Sequence, residues 1–125
     1  MQYMLLIYAD ETGWAAIPPE QQPQEMQAWN DYTAWLNDKG WMQVGDALQE
    51  TAHATTVRIR NGEMLTTDGP FAETKEQLGG YYLLDCKDLD QAIEAAARCP
   101  GAAYGSIEIR PLMQFDMPDA GHEGH

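Results

Sequence analysis

At 125 residues the chain is long enough for one ordinary domain with a single core, and too short to require an internal boundary. Its 20 Asp and Glu against 7 Lys and Arg give a formal charge of −13, which repels phosphate backbones and anionic lipid surfaces and so argues against direct nucleic-acid or membrane partners. The only thiols, Cys86 and Cys99, lack the number and spacing of a disulfide framework or a zinc site, which fits a reducing cytoplasm.

Residues 3–8 read as the first strand, apolar on both alternating faces as in a strand covered on two sides. With no basic segment ahead of it and Asp10-Glu11 directly after it, this run resembles neither a signal peptide nor a membrane span. Pro18-Pro19-Glu20 announces a helix, with Pro23 tolerable only in its first turn. The spacing of Met26, Trp29, Thr33 and Leu36 predicts that helix over 24–38 with one face toward a sheet, and Gly40 stops it.

A second strand follows at 41–48. Residues 55–67 hold two short strands around Asn61-Gly62, a pair suited to the positive φ values of a type I′ hairpin turn. That register sets Arg60 opposite Glu63, an exposed charge pair that contributes little and reads as a solvated hairpin edge. After Gly79-Gly80 comes a hydrophobic strand at 81–86. Asp88 with Gln91 three residues on has the arrangement of a capping box, and Leu89, Ile93 and Ala96-Ala97 are expected to form the buried side of the helix it opens. A last strand at 104–110 points Ile107 and Ile109 inward.

The order β-α-β-hairpin-β-α-β predicts an α+β ferredoxin-like sandwich with both helices on one face of the sheet. The other face then needs a cover. Four Trp, six Tyr and two Phe exceed what two helices require, so a homodimer packed sheet against sheet is expected. Residues 113–125 read as a flexible acidic, His-containing tail, in which His122 and His125 suit adventitious metal capture only.

The least ordinary segment is 67–76, which places four ionisable groups, a Pro and a Gly after a strand. Pro70 fixes its own φ and biases Gly69 toward extended geometry, so the Asp68 carboxylate is expected to bond a donor beyond Pro70 or to face a cleft. A preset carboxylate can act as a general base, with Glu73 and Glu76 raising its pKa and Lys75 opposing them or binding an anionic or phenolate ligand. The competing reading is an Asx turn that pins a loop in a dimer interface. His53 lies ahead of the hairpin and is a second candidate for proton transfer. Tyr8, Trp14, Trp29, Trp35, Trp41, Tyr81 and Tyr82 could line an aromatic pocket, although aromatic residues at such spacings usually form core. Tyr8 and Tyr82 stand out, at a strand end and beside the Gly-Gly pair. No phosphate loop or metal triad is present, so neither a cofactor nor a metal is expected.

The runs TDGPFAETKEQLGGYYLLD (67–85), ATTVRIRNG (54–62), AARCPGA (96–102) and MQYMLLIYADE (1–11) resemble the YciI-like (YCII-related) family in its DGPF branch, over residues 1–112. The resemblance implies a dimeric α-β barrel of ferredoxin-like units, and a small-molecule enzyme such as a proton-transfer lyase or a dehydrochlorinase. It implies a catalytic Asp, which falls on Asp68, whereas the family's early histidine has no counterpart among His53, His122 and His125. Gly69, Pro70 and Phe71 complete the motif and, with Tyr8, Glu73, Lys75, Glu76 and Tyr82, are expected around a small anionic or aromatic ligand. The alternative implied is a non-catalytic ligand- or protein-binding regulatory module linked to transcription through a protein partner.

Overall fold

The computed structural model describes residues 1–115; the Trp14 side chain and the tail beyond 115, with His122 and His125, lie outside the described residues. The chain runs β1 (Gln2–Ala9), α1 (Glu11–Ala16), α2 (Gln22–Lys39), β2 (Met42–Ala47), a 3-10 turn (Thr51–His53), β3 (Thr55–Arg60), β4 (Glu63–Asp68), β5 (Gln77–Asp85), α3 (Leu89–Arg98), a second 3-10 turn (Pro100–Ala103) and β6 (Ser106–Pro111). Four strands form an antiparallel sheet in the order β2-β5-β1-β6. Among the described residues β3 and β4 pair only with each other. The sheet order and the two helical crossovers are those of the ferredoxin-like sandwich, as the sequence predicts.

Along β1, Tyr3, Leu5 and Ile7 are buried and meet Tyr82 and Leu84 of β5, Tyr32 and Leu36 of α2, and Ala92, Ala95 and Ala96 of α3 in one core. Both long helices therefore cover the same face. The opposite face carries Met4, Leu6 and Tyr8 of β1, with Leu83 and Tyr81 paired to Met4 and Leu6, Val44 and Asp46 paired to Leu83 and Tyr81, and Arg110, Glu108 and Ser106 along β6. It has an apolar middle and a polar rim, and among the described residues no helix lies on it.

The helices bury Leu36 and Ala96 as expected, with Trp29 packed against the core, and differ from expectation at other positions. In α2 the deep positions are Tyr32 and Leu36, while Met26 is 51% exposed. In α3 they are Ala92, Ala95 and Ala96, whereas Leu89 and Ile93 lie on the outer side. Close approach is the cause: the Tyr32 hydroxyl donates to the Ala95 carbonyl at 2.6 Å, and only a small-residue face admits a buried phenol that must reach a partner.

The terminators act as predicted. Gly40, at φ 74°, closes α2 with its N–H on the Asn37 carbonyl. Asp88 caps α3 by accepting from the Gln91 N–H at 3.0 Å. The short α1 was not anticipated; Asp10 starts it by accepting from the Thr12 N–H and hydroxyl at 3.0 and 2.7 Å, an N-cap geometry. No helix among the described residues is long and apolar enough to cross a membrane.

Candidate functional site

One end of the sheet, where β1 finishes and β5 and β6 begin, gathers the polar groups. Tyr8 stands opposite Leu78 on one side and Ser106 on the other. A bulge between Ile7 and Tyr8 skips Gly79, and Gly105 lets β6 start close by: a Cβ there would lie 2.1 Å from the Tyr8 carbonyl oxygen. Tyr8 donates its phenol O–H to Glu108 Oε1 at 3.3 Å. The Ser106 hydroxyl donates to Glu76 Oε1 at 2.9 Å. Burial pushes the Tyr8 phenol above its ordinary pKa, and the charge and hydrogen bond of Glu108 add to this, with Arg110 opposing. The cluster thus holds a neutral phenol and two carboxylates at the border of an apolar sheet face.

Next to it, a chain of hydrogen bonds ties three loops together. The Glu11 carboxylate accepts from the Thr51 N–H and hydroxyl at 2.7 and 2.8 Å. The Glu11 N–H donates to Gln77 Oε1 at 2.9 Å, and Gln77 Nε2 donates to the Thr74 carbonyl at 2.6 Å. Glu11 therefore anchors both the turn that leads into β3 and the loop that enters β5. Lys75 lies near Asp10, whose carboxyl is held below its ordinary value chiefly by the side-chain and backbone hydrogen bonds from Thr12, with Lys75 adding a smaller pull.

Asp68 ends β4, paired with Thr55 at the root of the hairpin. Its carboxylate accepts no hydrogen bond from the described residues, although an Asx-type bond beyond Pro70 was one expectation. The turn is made by the backbone instead. Gly69 has φ 98° rather than extended geometry; its N–H donates to the Ala54 carbonyl at 2.7 Å, and its own carbonyl accepts from the Thr56 hydroxyl at 2.8 Å. Glycine alone adopts that φ without strain, so the loop reverses without using the Asp68 side chain. Pro70 is exposed. Phe71 is 75% exposed, and its carbonyl accepts from the Arg58 guanidinium at 3.2 Å.

The remaining candidates divide. Glu76 joins the Tyr8 end through Ser106, while Glu73 and Lys75 are exposed on the loop. His53 ends the 3-10 turn, exposed, and borders an open groove of about 310 Å³ with Leu48, Gln49, Glu50 and Ala54. It is thus at the same hairpin root as Asp68, yet among the described residues its imidazole forms no ion pair with any carboxylate. Tyr82 is corrected: it lies in the core on the helix side, sharing a hydrogen bond with Thr33 at 2.9 Å and meeting Tyr32 edge to face at 5.4 Å. Tyr81 is the open-face residue, donating to Asp46 at 2.9 Å.

Trp29, Trp35 and Trp41 pack against the core, so they are not a pocket lining at this end. Sequence reading missed Ser106, Glu108 and Glu11; the alternation that points Ile107 and Ile109 inward already turns the first two outward. Among the described residues no three His, Cys, Asp or Glu are grouped to hold a metal ion.

Topology and site together define a small ferredoxin-like α+β domain with a phenol and carboxylate cluster at one end of its sheet. The chain belongs to the YCII-related domain family, whose model matches residues 1–116. It is 39% identical over 117 residues to Uncharacterized protein R00369 of Rhizobium meliloti (strain 1021), a match covering 92% of this chain and 94% of that relative. A looser overlay, at TM-score 0.47 and 13% identity over 92% of this chain and 96% of the other, is to the 5-chloro-2-hydroxyhydroquinone dehydrochlorinase of Burkholderia phenoliruptrix in complex with 2,5-dihydroxybenzoquinone.

Proposed function

We propose that this protein is a cofactor-independent enzyme that moves a proton on a small phenolic or anionic ring compound, and that it works as a homodimer with the open sheet faces packed together. The observation that carries the reading is the Asp68 carboxylate, which takes no hydrogen-bond donor among the described residues and stands beside Gly69, whose N–H and carbonyl are both tied to the hairpin root. A carboxylate presented in this way is open to accept a substrate O–H or C–H proton. Tyr8, neutral, turns its one O–H from Glu108 to a developing oxyanion when substrate binds, and Glu76 with Ser106 orients a ring hydroxyl.

Membership of the YCII-related family supports a small-molecule role without fixing the substrate. The test is turnover of a panel of hydroxybenzoates and hydroquinols by the wild type and by Asp68→Asn. The variant is expected to lose about 100-fold or more in kcat, the usual contribution of a positioned acid or base, with its melting curve unchanged. A fully active Asp68→Asn overturns the assignment.

The formal charge of −13 favours a second reading, a regulatory module that meets a basic protein surface, including one in the transcription machinery. Salt-sensitive co-purification of a protein partner, with no turnover across the panel, selects it.

A further inference from the structure

The β3–β4 hairpin stands apart from the body of the fold. Every residue of both strands is exposed except the half-buried Thr56. The register pairs Val57 with Thr66 and Ile59 with Met64, so Val57, Ile59 and Met64 share one face, and they are 56%, 60% and 68% exposed. The other face carries Arg58, Arg60, Glu63 and Leu65. A lone two-stranded hairpin is marginal in water, and three large apolar groups in a row on one side of it form an uncovered surface.

Its root, by contrast, is locked. Thr51 is held by Glu11, Gly69 by Ala54 and Thr56, and Phe71 by Arg58. The arm and the 68–71 loop therefore form one unit held away from its own sheet.

Two arguments identify what covers it. The first is area. Four strands about 4.8 Å apart, with six residues in each edge strand at about 3.4 Å per residue, give an open face of roughly 400 Å². That is about half of the ~800 Å² that each partner contributes to a standard stable interface, so a face-to-face dimer needs further apolar surface, and the arm offers it.

The second is charge. Among the described residues Arg58, Arg60 and Lys75 meet no carboxylate within ion-pair distance, while a second copy is a body of formal charge −13 whose open face is bordered by Asp46, Asp85, Glu108 and Arg110. An arm with an apolar front and cations on its reverse side matches an acidic body that presents an apolar face.

We propose that the β3–β4 arm clasps a second copy of this chain, its Val57, Ile59 and Met64 face extending the contact between the two sheets, so that each copy delivers its Asp68 loop into the cleft between them. The inference rests on the homodimer of the preceding section and adds the arm as the element that completes it.

Sedimentation equilibrium of the full chain tests it, with a wild-type mass of twice 14.0 kDa expected. Ile59→Asp/Met64→Asp should weaken the dimer about tenfold or more in Kd, equivalent to about 1.4 kcal/mol, while keeping a native circular-dichroism spectrum. Leu83→Asp, in the middle of the open face, should also dissociate it. A wild type that sediments as a monomer overturns both the dimer and the clasp. A dimer that Leu83→Asp breaks and the arm variant leaves as tight as wild type overturns the clasp alone. Should either variant misfold, hydrogen exchange of the wild type above and below its dissociation constant decides: slowed exchange at residues 57–66 in the dimer supports the clasp, and equal exchange contradicts it.

Discussion

Tyr8 illustrates what one residue at a strand end can do. Its backbone is held between β5 and β6 while its phenol reaches Glu108, so position and protonation state are set by the same few atoms. Tyr8→Phe removes that hydrogen bond at a half-exposed site. A stability loss of at most about 1 kcal/mol is expected, together with a drop in turnover of roughly tenfold or more, and urea titration beside kinetics separates the two. Gly105 is the structural counterpart. A Cβ at 2.1 Å from the Tyr8 carbonyl has no flexible neighbour to displace, so Gly105→Ala should cost roughly 2–3 kcal/mol and lower Tm by about 10 °C. Tyr8 was legible from its place at the end of an apolar run. The choice between Tyr81 and Tyr82 was not, because the Tyr-Tyr-Leu-Leu run of β5 gives each sheet face one Tyr and one Leu, and only pairing with β1 and β2 decides which pair is buried.

At the scale of elements, punctuation was easier to read than burial. Asn61 and Gly62 adopt φ 54° and 79°, and Arg60 faces Glu63, as their chemistry requires. Gly40 and Asp88 end and start helices where expected. The α3 stripe was read correctly at Ala96 and misread at Leu89 and Ile93, because hydrophobicity ranks these two above alanine, whereas a helix pressed against the Tyr32 hydroxyl needs small residues on its inner face. The helix α1 escaped notice because its single turn and a half rests on one Asp10 cap and carries no apolar period. Glu11, its first residue, makes the next prediction: Glu11→Ala strips two acceptors from Thr51. About 1–2 kcal/mol should be lost, and amide exchange should quicken at residues 51–54 well before the core. Unchanged exchange there would mean that the arm root is held by other contacts.

For the molecule as a whole, the two faces of the sheet have opposite characters. The helix side is a sealed core in which Cys99 is 3% exposed and burial pushes its thiol up to about 11 from 9.0, while burial also raises the Tyr32 phenol. Both groups are neutral when protonated, and the folded state holds the proton more tightly than the unfolded chain. Their contribution is therefore fully present below pH 9 and is lost as the pH climbs through about 11. Urea midpoints should hold steady to about pH 9 and fall above it, more gently in Cys99→Ala than in the wild type. The open side, with its apolar middle, was legible as an uncovered surface from the order of elements, which puts both helices on one face; the aromatic residues expected to mark it lie mostly in the helix-side core instead. The gathering of Tyr8, Glu76, Ser106 and Glu108 was not, since it depends on where three strands begin and end.

The helix side also offers a competing surface, an open groove of about 390 Å³ where Arg98 stacks on Trp35 at 4.5 Å. A crystal of the protein soaked in a mixed library of aromatic acids and phenols tests the central assignment most directly. Density within hydrogen-bonding distance of Tyr8, Glu76 or the Asp68 loop is the predicted result; ligand found only against Trp35 and Arg98, or none at any of these three at millimolar soak, would contradict it.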